Sequence, residues 1–476
     1  MKYRIEKDSM GKMKVPVDCL YGASTQRAVE NFPVSGWHMP SSFIHSLGYL
    51  KACCAVVNKK LKLLDGKIAS AIQNASLKVA HGEYDLHFVV DVFQTGSGTS
   101  TNMNANEVIA NIANLSLGGA IGSKKPIHPN DHVNLGQSSN DVIPSVIHIA
   151  TFLDLKIRLI PELKKLQRSL EKKSEEFKNI VKIGRTHLQD ATPITLGQEF
   201  SGYAAQIKNC IQRIESCYCL LSELALGGTA VGTGINTHKN FSQLVCEELN
   251  ISLSRHCEAS ERSRGNPFNF IEAKNHFEAQ ASKDTCLQVS GSVKTLAVAL
   301  TKIANDIRWL SSGPRCGLGE IEIPSTQPGS SIMPGKVNPV IAESVLQVCA
   351  QVIGNDTAIT LGAQAGNFEL NVMMPMIACN LLNSISLLSN VVIIFRVKCI
   401  DGIKANKETC ENSIEKSLAL CTALVLHIGY DKAAELAKKA YKTKKTIRQI
   451  CQEEKILDQK TLEMALNPWT MLKPID

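Results

Sequence analysis

At 476 residues and 44% hydrophobic composition, the chain has room for several domains or one large helical assembly, with the apolar share of an ordinary globular protein. Its net charge of +8 is mild for that length, so it suits a small anionic ligand and is too diffuse for a nucleic-acid surface. Sixteen cysteines include no CxxC pair, and Cys53-Cys54 and Cys217-Tyr218-Cys219 are poor metal spacings, which argues against a zinc or iron–sulfur centre and for free thiols. The first residues, MKYRIEKDSMG, show neither the apolar core of a signal peptide nor the acid-free, Arg-rich character of a transit peptide, so a cytoplasmic location is expected.

Residues 1–137 mix short polar segments with helical patches and read as an N-terminal domain. Leu47 to Leu61, with alanines and valines between lysines, is one helix candidate. Thr95 to Asn111, TGSGTSTNMNANEVIAN, holds a donor-rich turn at Ser97, Gly98 and Thr99 before a helix through Glu107. A plain Ser or Thr helix cap explains such a turn as readily as a ligand contact does. His128 to Asp141, HPNDHVNLGQSSND, opens on a turn of Pro, Asn and Asp, and its SSND can cap the next helix.

Residues 138–397 read as a central bundle of long helices. Leu159, Leu163, Leu166 and Leu170 form an apolar seam with charged residues between them, and Pro161 should bend that helix. Leu296, Leu300, Ile303, Ile307 and Leu310 repeat the seam, which Gly313-Pro314 ends. Leu381 to Phe395 is the most apolar run, but Asn383, Ser384, Ser386, Ser389 and Asn390 interrupt it. A buried helix is expected there, too short and polar to span a membrane. Strand-like alternation is nearly absent and no Gly-rich phosphate loop follows a strand, so no nucleotide cofactor is expected. Residues 398–476 read as a small C-terminal helical domain, with Lys438, Lys439, Lys442, Lys444, Lys445 and Arg448 on a basic, solvated face.

The richest chemistry lies in Gly329 to Pro339, GSSIMPGKVNP. Gly329 and Gly335 allow unusual backbone angles, while Pro334 and Pro339 deny regular hydrogen bonding, so the stretch reads as a mobile loop. Pro339 suits the first turn of a following helix, with Asn338 as its cap. Ser330 and Ser331 supply hydroxyls, Lys336 a cation, and the backbone amides donors, which together suit a carboxylate. A third stretch, GRTHLQDATPITLGQEFSGY from Gly184 to Tyr203, sets Thr186 and His187 ahead of a helix whose dipole end favours anions. The polar neighbours Arg185, Thr186 and Gln189 leave both a catalytic and a packing role open for His187.

From Tyr3 to about Leu436 the motifs carry a resemblance. RIEKDSMGKMKVP, TQRAVENFP, QTGSGTSTNMN, HPND, QSSND, GRTHLQDATP, GGTAVGTGINTH, GPRCGLGE, GSSIMPGKVNP, GNFELNV and HIGYDKAAELA resemble the fumarase/aspartase superfamily, and within it the cluster-free class II fumarate hydratases. Aspartases typically carry Gln where this chain has His187, and an Asn-Pro-Asn-Asp turn where it has His128. Argininosuccinate and adenylosuccinate lyases carry other residues around Lys336.

The resemblance implies a mainly α fold, a long central helix bundle with smaller N- and C-terminal domains, in a homotetramer whose active sites each draw on three chains. It implies cofactor-free, metal-free hydration of fumarate to (S)-malate, a tricarboxylic acid cycle step, through an aci-carboxylate. Ser330 then matches the base toward the carbon proton, and His187 the group acting through water on the hydroxyl, with Glu343 as its charge partner. Lys336, Asn338, Thr99 and Asn140 match the carboxylate clamp, and Ser97, Gly98, Ser138, Ser139, Thr186 and Ser331 further substrate contacts. His128, Pro129, Asn130 and Asp131 match a second dicarboxylate site. Aspartate ammonia-lyase and a catalytically silent homologue, as among lens crystallins, are the competing readings. No nucleic-acid or membrane partner is expected. Three departures stand out: Lys125 where the family often has Arg, Leu135-Gly136 in place of a more polar dipeptide, and Ser252 to Arg264, which reads as a polar surface insertion clear of the site.

Overall fold

Alternating Arg4, Glu6, Met13 and Val15 open the chain as a hairpin, β1 (Tyr3–Asp8) and β2 (Gly11–Pro16), paired from Tyr3↔Pro16 to Asp8↔Gly11. The computed structural model describes residues 2–258 and 268–474, and in them helices dominate as expected. After the hairpin come α1 (Ala23–Asn31), α2 (Ser41–Lys60), α3 (Gly66–Ala80), α4 (Thr99–Ser116), α5 (Ser139–Leu153) and α6 (Ile160–Glu176). A second hairpin, β3 (Val181–Thr186) and β4 (Gln189–Thr195), precedes α7 (Leu196–Glu215) and the single turn α8 (Tyr218–Leu221). Then follow α9 (Phe241–Glu258), the short α10 (His276–Ala281), α11 (Asp284–Leu310), α12 (Val340–Ala363) and α13 (Met374–Lys398). Short helices complete the chain from Lys407 to Ala465. Strand pairing is confined to two-stranded ribbons among the described residues.

Both leucine seams are buried, with Leu159, Leu163, Leu166 and Leu170 on one helix run and Leu296, Leu300, Ile303, Ile307 and Leu310 on α11. Each such side chain contributes about 1.5–3 kcal/mol by leaving water. Pro161 falls in the first turn of α6, and the irregularity lies just before it as a wider π-type turn, Asp154–Leu159. A proline tolerated in a first turn need not kink the helix interior. The apolar run around Leu381 extends further than its sequence suggested. By length and composition alone Met374–Gly402 could cross a membrane, but 61% of its apolar window is buried inside the protein.

The chain forms two compact units, each gathered from separate stretches. The first comprises Met1–Pro161, Gln212–Ala297 and Ala350–Ser389; the second comprises Glu162–Ile211, Val298–Cys349 and Asn390–Asp476. In the first, α2 packs on α3, α5 and α9, and α4 lies against α1 and α3. In the second, the C-terminal segment builds a core from Ile414, Leu420, Leu424, Leu436, Ile447, Ile450 and Leu462 around Val181 and Ile183 of β3. The basic face there is partly neutralised: Lys439 pairs with Glu454, Lys445 with Glu453 at 2.6 Å and Arg448 with Glu415 at 2.7 Å.

The first half of the expected surface insertion is not a loop. Ser252 to Glu258 continue α9 and Leu253 is buried, so helical pairing overrides the polar composition; the remainder, 259–264, lies outside the described residues.

Candidate active site

The expected site residues fall into a hydroxyl-rich group in the first unit and a loop-and-hairpin group in the second. In the first, Gly98 adopts φ +74 and turns the chain into α4, leaving Ser97 Oγ 2.7 Å from Thr99 Oγ1. Thr99 Oγ1 is in turn 2.7 Å from Ser139 Oγ, so three hydroxyls from two helix starts form one chain. The turn is held from behind: a Cβ on Gly96 would stand 1.8 Å from the carbonyl oxygen of Val372, and the Met374 amide donates to the Gly96 carbonyl at 3.1 Å. Only glycine allows that approach.

Ser138 does cap α5, as SSND suggested. Its Oγ accepts from the Asn140 amide at 3.3 Å, and its own amide donates to Asp141 Oδ1 at 2.8 Å, completing a capping box. The second oxygen of the fully buried Asp141 accepts from the amides of Gly227 at 2.9 Å and Thr229 at 3.0 Å. Asn140 Nδ2 donates to the Ala230 carbonyl at 2.9 Å. The GGTAVGTG segment is thereby fastened to the same helix start that presents Ser138 and Ser139.

Behind this group lies a polar core that the sequence reading missed. Lys51 of α2 is fully buried, and its Nζ donates to Asn134 Oδ1 at 3.0 Å, an oxygen that also accepts from Asn102 and Asn106 at 3.2 Å. Loss of hydration pushes Lys51 down to about 8. Asn134 Nδ2 reaches the Gln137 carbonyl at 3.0 Å, so the core positions the strand of chain leading to Ser138. Nothing local marked Lys51, a lysine between Leu50 and Ala52 on an apolar helix; the S-x-x-D box at Asp141 was legible.

In the second unit, GSSIMPGKVNP is a loop, closed on itself. The Gly329 amide donates to the Lys336 carbonyl at 2.9 Å, and Asn338 Nδ2 donates to the Gly329 carbonyl at 2.6 Å. Asn338 therefore ties the loop rather than capping α12, and Pro339 lies just outside that helix. Ser330 Oγ accepts from the amides of Met333 at 2.9 Å and Ile332 at 3.2 Å. Two donors aimed at one hydroxyl oxygen are what an alkoxide at that position requires. Ser331 and Lys336 are exposed.

His187 departs from expectation. It does not precede a helix: with Leu188 it forms the two-residue tip of the β3–β4 hairpin, at φ 56° and 59°, and α7 begins only at Leu196. Period-2 alternation is weak in this ribbon because Val181, Lys182, Ile183 and Gly184 are all buried, so the strands did not announce themselves. Thr186 and His187 are exposed at the tip, and among the described residues Glu343, in the first turn of α12, makes no ion pair with His187.

The HPND turn is a separate element. His128 caps the turn Pro129–Val133, and its Nδ1 accepts from the amides of Asp131 at 3.2 Å and Asn130 at 3.3 Å. Asn130 and Asp131 remain exposed while Pro129 is buried.

Residues 11–354 match the family described as lyase, and residues 420–473 match that described as fumarase C C-terminus. Long helices carrying hydroxyl- and amide-rich loops are thus those of a lyase. A class II fumarate hydratase of Xylella fastidiosa is 50% identical over 467 residues, covering 98% of this chain and 95% of that protein. The mitochondrial fumarate hydratase of Saccharomyces cerevisiae is 50% identical, covering 99% of this chain and 94% of that one. The crystal structure of a class II fumarase from Schistosoma mansoni superposes with a TM-score of 0.95 at 41% identity, covering all of both chains. The chain belongs to the class II fumarate hydratase family of lyases.

Proposed function

We propose that the chain catalyses the reversible, stereospecific addition of water to fumarate, giving (S)-malate, through an aci-carboxylate intermediate. The observation that carries this reading is the pair of amides on Ser330 Oγ. A proton next to a carboxylate leaves only if the charge that develops is held as it forms. In the dehydration direction Ser330, as an alkoxide held by its two amides, takes the carbon proton. Lys336 and Asn338, with Thr99 and Asn140, hold the carboxylate on which charge accumulates. His187 then delivers a proton through water to the departing hydroxyl; Glu343, which does not pair with it within one chain, is assigned as its charge partner across the assembly. Ser97, Gly98, Ser138, Ser139, Thr186 and Ser331 complete the substrate contacts. The HPND turn, His128 to Asp131, forms a second dicarboxylate site. The working enzyme is a cytoplasmic homotetramer acting in the tricarboxylic acid cycle, with each active site drawing residues from several chains. In chain order it comprises an N-terminal domain (1–137), a central bundle (138–397) and a small C-terminal domain (398–476). No cofactor takes part in any of these steps.

The test is the ultraviolet absorbance of fumarate incubated with purified protein in metal-free buffer, with and without ammonium. Loss of fumarate and appearance of malate without ammonium is the expected result. Consumption that needs ammonium would make the chain an ammonia-lyase, and no consumption would support a silent homologue.

A further inference from the structure

The imidazole assigned above to the oxygen side sits on a strained support. His187 and Leu188 both adopt left-handed backbone angles, a conformation that non-glycine residues avoid and that persists only where the surroundings impose it. The turn residues cannot impose it themselves, since both are exposed. The strands beneath must do so, and β3 carries a register shift between Ile183 and Arg185, a further irregularity just below the tip.

Beneath the tip lies a buried group of charges that the proposed chemistry does not use. Glu320 is 1% exposed, and both its oxygens are occupied: Oε1 by Arg185 Nη2 at 2.7 Å, Oε2 by Arg185 Nη1 at 3.1 Å and by Lys182 Nζ at 3.2 Å. Lys182, equally buried, also meets Glu199 of α7 at 3.0 Å. The backbone of Glu320 is fixed as firmly. Its amide donates to the Leu310 carbonyl at the end of α11 at 2.8 Å, and its carbonyl accepts from the Asn406 amide at 2.9 Å. A two-pronged guanidinium–carboxylate pair fixes orientation as well as distance. Here it grips β3 two residues before His187.

We propose that Glu320 is a positioning residue for His187, acting through the forked ion pair with Arg185; this rests on the role given to His187 above. Glu320 is buried with both oxygens taken up by Arg185 and Lys182, so its part is positional. It sets the direction in which the hairpin tip projects, and a small misdirection of a proton-transfer group is enough to slow its step.

A buried ion cluster that only stabilises the fold would lower the melting temperature and leave kinetics alone. The test is therefore a kinetic cycle of Glu320→Gln, His187→Asn and the double variant, each checked for folding by thermal denaturation. Glu320→Gln keeps the shape and one accepting oxygen; Arg185→Lys, which keeps the charge and loses the fork, serves if it does not fold. The expected result is a fall in kcat of about 10- to 100-fold with KM changed less than about threefold. In the His187→Asn background the same substitution should lower kcat less than about twofold further, because the group it positions is gone. Wild-type kcat in a folded Glu320→Gln protein, or an equal loss in both backgrounds, would overturn the proposal. Full turnover in His187→Asn alone would instead overturn the role of His187, a different failure with a different signature.

Discussion

The amides on Ser330 can be tested one at a time by replacing a residue with its α-hydroxy analogue, which turns the backbone N–H into an ester oxygen and leaves the side chain intact. Met333 supplies the shorter bond, 2.9 Å, and Ile332 the longer, 3.2 Å. A hydrogen bond to a charged partner contributes about 1.5–3 kcal/mol, and each 1.36 kcal/mol is tenfold in rate. If Oγ carries negative charge when it takes the carbon proton, the ester at Met333 should lower turnover by roughly 10- to 150-fold. The ester at Ile332 should cost less, since its donor is further away. KM should stay near its normal value, because the proposed carboxylate clamp, Lys336 and Asn338, is untouched. Ser330→Ala sets the ceiling, a loss of at least roughly 10²- to 10⁴-fold. The assay is the initial rate of fumarate absorbance at saturating malate. Esters that leave the rate unchanged while Ser330→Ala abolishes it would refute the idea that these amides stabilise an alkoxide. A near-normal Ser330→Ala would remove the base from this loop altogether.

His187→Asn should cut turnover with little change in KM, whereas Lys336→Ala should damage both, as a clamp used in ground and transition states would; steady-state kinetics separate the two. Activity should survive EDTA followed by desalting, and a loss restored by zinc or iron would overturn the cofactor-free reading. Stability should fall on acidification between pH 6.5 and 4 through His148, which burial and the nearby Lys283 charge push down to about 4 while its Nδ1 lies 2.9 Å from the Glu223 carbonyl. In that window only the unfolded chain takes up the proton, so folding loses up to about 3 kcal/mol as pH drops. His148→Gln should flatten the fall in melting temperature over the same window, and an unchanged pH profile would count against a neutral His148 in the folded protein.

Much of the local structure was legible in the order of residues. GSSIMPGKVNP holds a hydroxyl, amide donors and a cation within a single loop, so the proposal that they act on a carboxylate needs no distant contact. The leucine seams of α6 and α11 named their own buried faces, because a helix repeats its neighbours every three to four residues whatever it packs against. The cap at Ser138 was equally local, a side chain meeting the amides next to it. Other features depend on residues far apart in sequence and could not be read that way. The β3–β4 ribbon hid because its buried strand presents no alternation, and His187 was accordingly assigned to a helix start rather than a hairpin tip. Asn338 looked like a cap, but the loop folds back and brings the Gly329 carbonyl within 2.6 Å of its amide nitrogen. Lys51 and Glu320 have ordinary sequence neighbours and become distinctive only through partners 83 and 135 residues away. Burial is what makes such groups matter: a charge withdrawn from water must find its partner wherever the fold delivers one, and tertiary structure alone decides where that is.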